Sequence, residues 1–126
     1  MAAQYTLKVL ADFAAAHTLR DYPGACNRMH GHNWKIEAEV VATQLNAVGM
    51  AIDFKDIKRE VRAIAKSLDH YYLNELEPFL EINPTAENIA QYFFRELAQR
   101  INTETVSVSA LTLWETERAC VRYSEV

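Results

Sequence analysis

The sequence predicts an α+β fold in which two helices cover one face of a four-stranded antiparallel sheet, in the order β-β-α-α-β-β. Three observations support this prediction: apolar residues alternate near both ends of the chain, two amphipathic helical segments lie between them, and turn-forming residues separate the elements. A length of 126 residues corresponds to one domain, which we take to span residues 1–126.

The first two elements are predicted as strands because their apolar residues recur at every second position. Tyr5, Leu7 and Val9 begin the first strand, which continues towards His17. A loop rich in turn formers follows, and a second alternation runs from His32. One face of this strand is apolar, and the other carries three charged residues that we expect to meet water: Lys35, Glu37 and Glu39.

Two helices are predicted in the middle of the chain from apolar residues at spacings of three and four. The stripe of the first helix consists of Ile57, Val61, Ile64 and Leu68. Thr85 can cap the second helix, and Asn102 is a plausible last residue. Glu87 lies in its first turn, where the helix dipole favours a negative charge.

The last two strands are predicted over residues 105–116 and 119–123. Between Ala110 and Leu111 the alternation changes parity, which indicates either a bulge or a strand covered on both faces. A four-stranded sheet leaves two unpaired edges, and pairing of these edges between copies would close a larger barrel. We therefore expect the chain to form a homo-oligomer.

Charge and composition argue against several classes of protein. The net charge is −4, whereas nucleic-acid binding usually needs a basic excess, so we expect no nucleic-acid partner. No apolar run approaches the roughly 20 residues of a membrane span, and the N-terminus lacks a secretion-signal pattern. Cys26 and Cys120 are too few for a disulfide framework, so we expect a reduced, cytoplasmic chain without membrane contact.

Three of the four histidines form the most informative cluster in the sequence. His30 and His32 flank Gly31, and residues two apart in a strand project from the same face. An antiparallel hairpin would bring His17 beside them. Three imidazoles with a fourth position open to water or substrate are typical of a catalytic zinc site. The alternative is ordinary surface or core histidines, because His-x-His alone is a weak motif.

Cys26, four residues before His30, allows three interpretations. It could be a fourth zinc ligand, which would make the site structural and closed. It could be a buried inert thiol. It could also act as a base or nucleophile near a metal-bound substrate, since neighbouring cations favour the thiolate. Cys120 lies within a strand, and we expect it to pack.

Two further carboxylates are candidates for a functional role. Asp69 precedes His70 and could orient its imidazole, although neighbouring side chains pair only where the backbone turns irregularly. The alternative is a helix-terminal histidine favoured by the helix dipole. Glu115 follows an apolar strand and could bind a guanidine-like edge of a ligand, or it could simply end the strand in water.

Six motifs occur in order along the chain and together resemble the 6-pyruvoyltetrahydropterin synthase family. The motifs are Phe13-Ala14-Ala15-Ala16-His17, Cys26-Asn27-Arg28-Met29-His30-Gly31-His32, Ile52-Asp53-Phe54, Leu68-Asp69-His70, Asn83-Pro84-Thr85-Ala86-Glu87-Asn88 and Trp114-Glu115-Thr116. Among its branches, the chain looks most similar to the bacterial 6-carboxy-5,6,7,8-tetrahydropterin synthases of queuosine biosynthesis. The resemblance implies the tunnelling fold, an oligomeric barrel and a homohexamer made of two trimers.

The resemblance also implies roles for individual residues. Zn²⁺ would be bound by His17, His30 and His32. Proton transfer would involve Cys26 as the acceptor and His70 supported by Asp69. Glu115 would anchor the pterin ring and join the relay, and the pterin pocket would include Thr85 and Glu87.

The substrate implied by the resemblance is 7,8-dihydroneopterin triphosphate, and the reaction is that of a lyase. The carboxy branch would release acetaldehyde and triphosphate, whereas the pyruvoyl branch would only eliminate triphosphate. Three cations, Arg20, Arg28 and Lys35, are candidates for binding the triphosphate. Two other possibilities remain: a hydratase or hydrolase that uses zinc-bound hydroxide, and a binding module with a structural zinc ion.

Overall fold

The computed structural model describes residues 3–24 and 27–126. The four strands are β1 (Tyr5–His17), β2 (His30–Ala42), β3 (Val106–Thr116) and β4 (Ala119–Tyr123). Helices α1 (Phe54–Leu68) and α2 (Ala86–Ile101) lie between β2 and β3, and two short 3₁₀ turns, Leu73–Glu75 and Glu77–Phe79, join the helices. This confirms the predicted element order, although the alternation in the sequence did not reveal the two 3₁₀ turns.

The sheet is antiparallel throughout, with the strands in the order β1-β2-β3-β4. In the β1–β2 hairpin, Tyr5 pairs with Ala42 at one end and His17 pairs with His30 at the other. We call these the tyrosine end and the histidine end of the sheet. The unbroken register delivers the last residue of β1 directly beside the first residue of β2.

Bulges interrupt β3 at two places. Glu39 pairs with Ala110 but Val40 pairs with Val108, which leaves Ser109 as an extra residue on β3. A one-residue insertion exchanges the faces of all residues beyond it. Val106 and Val108 therefore face the helices before the bulge, and Leu111 and Leu113 face them after it, as the parity change predicted.

The second bulge lies between β3 and β4. Trp114 pairs with Cys120 and Thr116 pairs with Ala119, so Glu115 is the unpaired residue. Bulges of this kind redirect a side chain and are common beside functional sites.

Both helices pack on the same face of the sheet, as predicted. The core consists of side chains from that face and from the apolar stripes of α1 and α2, with Trp34, Phe79 and Phe93 among the largest fully buried members. Asp53 and Thr85 cap the two helices, and Asn102 ends α2 as expected. None of the helices in the described ranges is long and apolar enough to cross a membrane.

Two expectations for the opposite, outer face of the sheet were wrong. Glu39 was expected to meet water but is only 8% exposed, because it lies on a central strand and Arg122 on β4 folds across it. Cys120 was expected to pack, yet it is exposed, because its edge strand has no covering layer on the outer face in the described chain.

Candidate metal centre

The structure brings the three predicted histidines together at the histidine end of the sheet. His17 is buried, with 1% of its surface exposed, and His30 and His32 are half-buried. One ligand atom from each ring lies within 4.8 Å of the other two. Trp34, also on the helix-facing side of β2, packs edge-on against His17 and His32 and so borders the cluster.

Main-chain carbonyls determine which nitrogen of two rings faces the cluster. His17 Nδ1 lies 2.7 Å from the Pro84 carbonyl, and His30 Nδ1 lies 2.8 Å from the Arg28 carbonyl. A carbonyl can only accept, so each Nδ1 must carry the proton and each Nε2 keeps its lone pair. Metal-binding histidines are commonly oriented in this way by a carbonyl behind the ring.

Burial also favours the metal-binding form of His17 and His32. Burial lowers the pKa of His17 and that of His32, because an imidazolium ion loses hydration in a buried position. The neighbouring histidines lower both pKa values further, whereas the Glu115 carboxylate opposes the shift. Neutral imidazole is the form that coordinates a metal ion.

The residues present fit a metal ion. The Nε2 atoms of His17 and His32 are buried and have no hydrogen-bond partner among the described residues. Buried polar atoms in proteins are nearly always satisfied, so a ligand for these two lone pairs is the simplest explanation. Nitrogens bound to one zinc ion lie about 3.4 Å apart, so small rotations of the rings would bring the three nitrogens within coordinating distance of one ion.

Glu115 borders the cluster from β3. Its carboxylate oxygens lie 4.0 Å from His17 Nε2 and 3.9 Å from His32 Nε2, beyond hydrogen-bonding distance. Because Leu111 and Leu113 share its face, the Ser109 bulge is what turns Glu115 rather than Trp114 towards the histidines.

The predicted substrate-binding residues line one cavity of about 250 Å³ beside the cluster. Thr85 and Glu87 contribute from the start of α2, and Glu115 contributes from the end of β3. Glu115 therefore links this cavity to the three histidines. Cys120 also lines the cavity. The sequence did not indicate this, because the exposure of Cys120 depends on β4 being an edge strand.

Asp69 and His70 form the pair that the sequence allowed only in an irregular turn. His70 adopts a left-handed backbone conformation with φ of +64°, and its Nδ1 lies 2.8 Å from Asp69 Oδ2. The Ala14 N–H donates to Asp69 Oδ1 at 2.8 Å. This hydrogen bond, followed by the one from His70, lowers the pKa of Asp69.

His70 does not belong to the group of described residues whose ligand atoms converge. Its side chain is 82% exposed, and it shares with His32 a cavity of about 440 Å³ at the edge of β1. Cys26 lies outside the described residues, so its proposed role receives no structural description.

The candidate triphosphate cations differ in their availability. The Arg20 guanidinium donates to the carbonyls of Asn74, Phe79 and Ile82 and is therefore already occupied. Lys35 Nζ lies over the Trp114 ring, 5.1 Å from its centre, on the outer face. Pro84 lies in a segment that the resemblance assigns to the pterin pocket, but the hydrogen bond from His17 to its carbonyl was not predicted, because any residue type has a carbonyl.

Comparisons with known proteins agree with the motifs. A family model described as 6-pyruvoyl tetrahydropterin synthase matches residues 6–126. A Synechocystis protein named 6-carboxy-5,6,7,8-tetrahydropterin synthase is 38% identical over 92 residues, 69% of this chain and 70% of that protein. Other relatives carry the same name. A Pyrococcus furiosus relative, 32% identical over 83% of this chain and 84% of its own, is named dihydroneopterin monophosphate aldolase.

A solved structure shows that the fold is shared. The Caenorhabditis elegans 6-pyruvoyl tetrahydropterin synthase matches with a TM-score of 0.86 over 99% of this chain and 98% of that one, at 24% identity. The four-stranded antiparallel sheet with its two helices is thus the tunnelling fold expected from the motifs. Because the family model covers nearly the whole chain, this protein belongs to the 6-pyruvoyl tetrahydropterin synthase family.

Proposed function

We propose that this protein is a zinc-dependent 6-carboxy-5,6,7,8-tetrahydropterin synthase. It would convert 7,8-dihydroneopterin triphosphate to 6-carboxy-5,6,7,8-tetrahydropterin, with release of acetaldehyde and triphosphate. The observation that carries the proposal is the convergence of three imidazoles beside a carboxylate that also lines a cavity. Two of the imidazoles have Nε2 atoms with no partner among the described residues. Relatives named for this activity support the choice of product.

His17, His30 and His32 would hold the zinc ion. When bound, zinc would supply Lewis-acid stabilisation of negative charge on the oxygens of the substrate side chain. The two carbonyls behind the rings of His17 and His30 keep their Nε2 atoms unprotonated and directed inward.

Glu115 would bind the pterin ring. An ionised carboxylate offers two acceptor oxygens, which match the paired N–H donors of an amino-pyrimidinone edge. Its place between the three histidines and the cavity of Thr85 and Glu87 would hold the ring with its side chain pointing towards the histidines.

Proton transfer would be shared by Cys26 and the Asp69–His70 pair. Cys26 would accept a proton from the substrate side chain, as the resemblance implies. Asp69 fixes the orientation of the His70 ring and would stabilise its protonated form. Because His70 is exposed in the single chain, we propose that it completes the site across a subunit boundary.

The remaining proposals concern assembly and context. We propose a homohexamer of two trimers in which strand edges pair into a barrel. In the described chain, β1 and β4 are the outer strands of the sheet. Ala14 and Ala16 of β1 are already hydrogen-bonded to Asp69, His70 and Tyr71, so the part of β1 before Ala14 would take part in such pairing. The free, exposed thiol of Cys120 fits the reducing cytoplasm, and the product would enter queuosine biosynthesis.

A second candidate is 6-pyruvoyltetrahydropterin synthase, which eliminates triphosphate from the same substrate. The description of the matching family model favours it. Both activities would use the same metal and pterin site, so the reaction product distinguishes them.

The test is product analysis. Zinc-loaded protein is incubated with 7,8-dihydroneopterin triphosphate, and pterins, triphosphate and acetaldehyde are quantified. We expect acetaldehyde and 6-carboxy-5,6,7,8-tetrahydropterin in equal amounts. Formation of 6-pyruvoyltetrahydropterin without acetaldehyde would establish the second candidate. Dihydroneopterin monophosphate serves as a comparison substrate, because the name of one relative is dihydroneopterin monophosphate aldolase.

Cobalt substitution tests the structural-zinc alternative, in which Cys26 is a fourth ligand. A thiolate ligand adds an intense charge-transfer band to the absorption spectrum of the cobalt protein, whereas three histidines and water do not. We expect no such band, and the same spectrum from Cys26→Ala. A band that disappears in that variant would contradict an open catalytic site.

A further inference from the structure

Two asparagine side chains hold the segment that follows His17. The Thr18 N–H donates to Asn74 Oδ1 and Asn74 Nδ2 donates to the Thr18 carbonyl, both at 2.9 Å. The Arg20 N–H donates to Asn83 Oδ1 at 2.8 Å, and Asn83 Nδ2 donates to the Arg20 carbonyl at 2.9 Å. Each carboxamide therefore pairs with one residue of the segment as a neighbouring strand would.

The Arg20 side chain strengthens the same connection. Its guanidinium donates to the carbonyls of Phe79 at 2.7 Å, Ile82 at 3.1 Å and Asn74 at 3.3 Å. Arginine usually pairs with carboxylate or phosphate, but here its donors are directed at main-chain oxygens. The loop between α1 and α2 is thereby drawn against the end of β1.

This network ends at a residue that orients His17. Pro84 directly follows Asn83, and its carbonyl lies 2.7 Å from His17 Nδ1. The Asn83 carbonyl accepts from Asn88 Nδ2 at 2.8 Å, and Thr85 on the other side caps α2. The carbonyl behind His17 is thus held from both directions.

We propose that Asn83, assisted by Arg20, is a positioning residue for the metal centre. By holding the Pro84 carbonyl, it sets the orientation and tautomer of the His17 ring and so the affinity of the three histidines for their metal. This inference rests on the proposed zinc site. Residues behind metal ligands typically change metal affinity by about 10-fold to 100-fold when they are replaced.

The alternative is that the network only stabilises the loop, and Asn46 provides a matched control. Asn46 Oδ1 accepts from the N–H groups of Val48 and Met50, each at 3.0 Å, in the turn beyond the tyrosine end of β2. Asn46→Ala therefore also removes two hydrogen bonds between an asparagine and the main chain, but at the opposite end of the sheet from the histidines.

The experiment measures zinc affinity by competition with a chromophoric chelator, well below the melting temperature of each variant. We expect Asn83→Ala to weaken zinc binding by about 10-fold to 100-fold, and Asn46→Ala to leave it unchanged even if both lower the melting temperature. Equal affinities for wild type and Asn83→Ala would overturn the proposal. If Asn83→Ala does not fold, Arg20→Lys, which cannot reach three carbonyls, is expected to weaken binding, and wild-type affinity there would overturn it.

NMR of the metal-free protein separates this inference from the proposed function. The wild-type His17 ring is expected to be protonated at Nδ1, with its proton protected from exchange, and Asn83→Ala is expected to lose that protection. Unchanged protection would overturn the positioning role. A wild-type protein that binds no zinc would instead refute the metal centre, while the NMR comparison still decides whether Asn83 orients the ring.

Discussion

On the outer face of the sheet, the buried carboxylate of Glu39 is paired, whereas at the histidine end two buried nitrogens have no partner among the described residues. Glu39 is 8% exposed, and its two oxygens accept from Arg122 at 2.9 and 3.3 Å. The Nε2 atoms of His17 and His32 are also buried, yet no described residue donates to them or accepts from them.

The difference shows where this fold prepares for a ligand. Leaving a buried polar atom unpaired costs about 1–3 kcal/mol. Glu39 is paired on the outer face, and the one other buried side-chain nitrogen without a partner among the described residues is Trp114 Nε1. Two such nitrogens in one cluster, both on rings whose pKa is lowered by burial, are therefore better explained by a role in metal binding than by poor packing. Five predictions test this contrast.

The largest effect is expected from removing a ligand. His17→Ala should lower zinc affinity by more than the roughly 100-fold typical of residues behind the ligands, and should abolish turnover of dihydroneopterin triphosphate. Isothermal titration and product analysis measure the two effects. Arg122→Ala is the control, since it should bind zinc like the wild type. Wild-type zinc affinity in His17→Ala would remove the basis of the contrast.

Asp69 and His70 offer an intermediate case, because they are paired but exposed. Asp69→Asn keeps an oxygen for the Ala14 N–H but removes the negative charge beside His70. We expect kcat to fall about 100-fold or more, as for lost acid–base catalysis, with zinc affinity unchanged. Steady-state kinetics and chelator competition measure these quantities. A variant with full kcat would exclude the relay role.

Breaking the satisfied cluster should affect stability alone. Arg122→Ala leaves the buried Glu39 carboxylate without its partner, and we expect a loss of about 1–3 kcal/mol in the free energy of unfolding. Urea denaturation of the metal-free protein provides the measurement. The control Arg59→Ala removes exposed ion pairs to Asp56 and Glu60 and should cost less, because exposed ion pairs contribute little to stability. Equal losses would mean that burial of Glu39 contributes nothing.

The pH dependence of stability should separate the two clusters. Burial lowers the pKa of His17 and His32 from 6.5, so below about pH 6.5 the unfolded chain binds more protons than the native protein. Stability of the metal-free protein should fall as pH decreases from there, by up to about 1.4 kcal/mol per pH unit for each proton. Urea denaturation across this range tests it, and His17→Leu should show a smaller slope.

Glu39 should contribute in a lower pH window. The hydrogen bonds from Arg122 lower the pKa of Glu39 from 4.5, so its stabilisation is present above pH 4.5 and is lost as the pH falls further. Arg122→Ala should diminish this second loss and leave the loss below pH 6.5 intact. If Arg122→Ala diminished both the stability loss below pH 6.5 and the loss below pH 4.5, the histidines and Glu39 would not be independent.

Much of the fold was predictable because its signals are local. The period-two and helical patterns, the caps Thr85 and Asn102 and the bulge in β3 follow from side-chain periodicity. The two 3₁₀ turns were not predictable, because tertiary bonds such as those from Arg20 hold that loop. The burial of Glu39 and the exposure of Cys120 depend on which strand lies at an edge.

For the candidate site, the spacing of the histidines in the sequence indicated which residues converge, and the pairing register of β1 and β2 explains how they converge. The spacing of His30 and His32 and the hairpin back to His17 predicted the cluster, and the paired ends of β1 and β2 bring the rings together. The hydrogen bonds of the Pro84 carbonyl with His17 and of the Asn83 side chain with Arg20 could not be predicted, because each joins residues more than sixty positions apart in the chain.

By itself, the sequence determined the order of elements, the family and the residue types that can hold a metal ion, because these depend on composition, spacing and motif order. Only the tertiary structure decided which polar groups are satisfied. That outcome depends on contacts between distant segments: the bulge that turns Glu115 towards the histidines, the arginine that pairs with Glu39, and the Pro84 carbonyl that binds Nδ1 of His17 and leaves its Nε2 without a partner among the described residues.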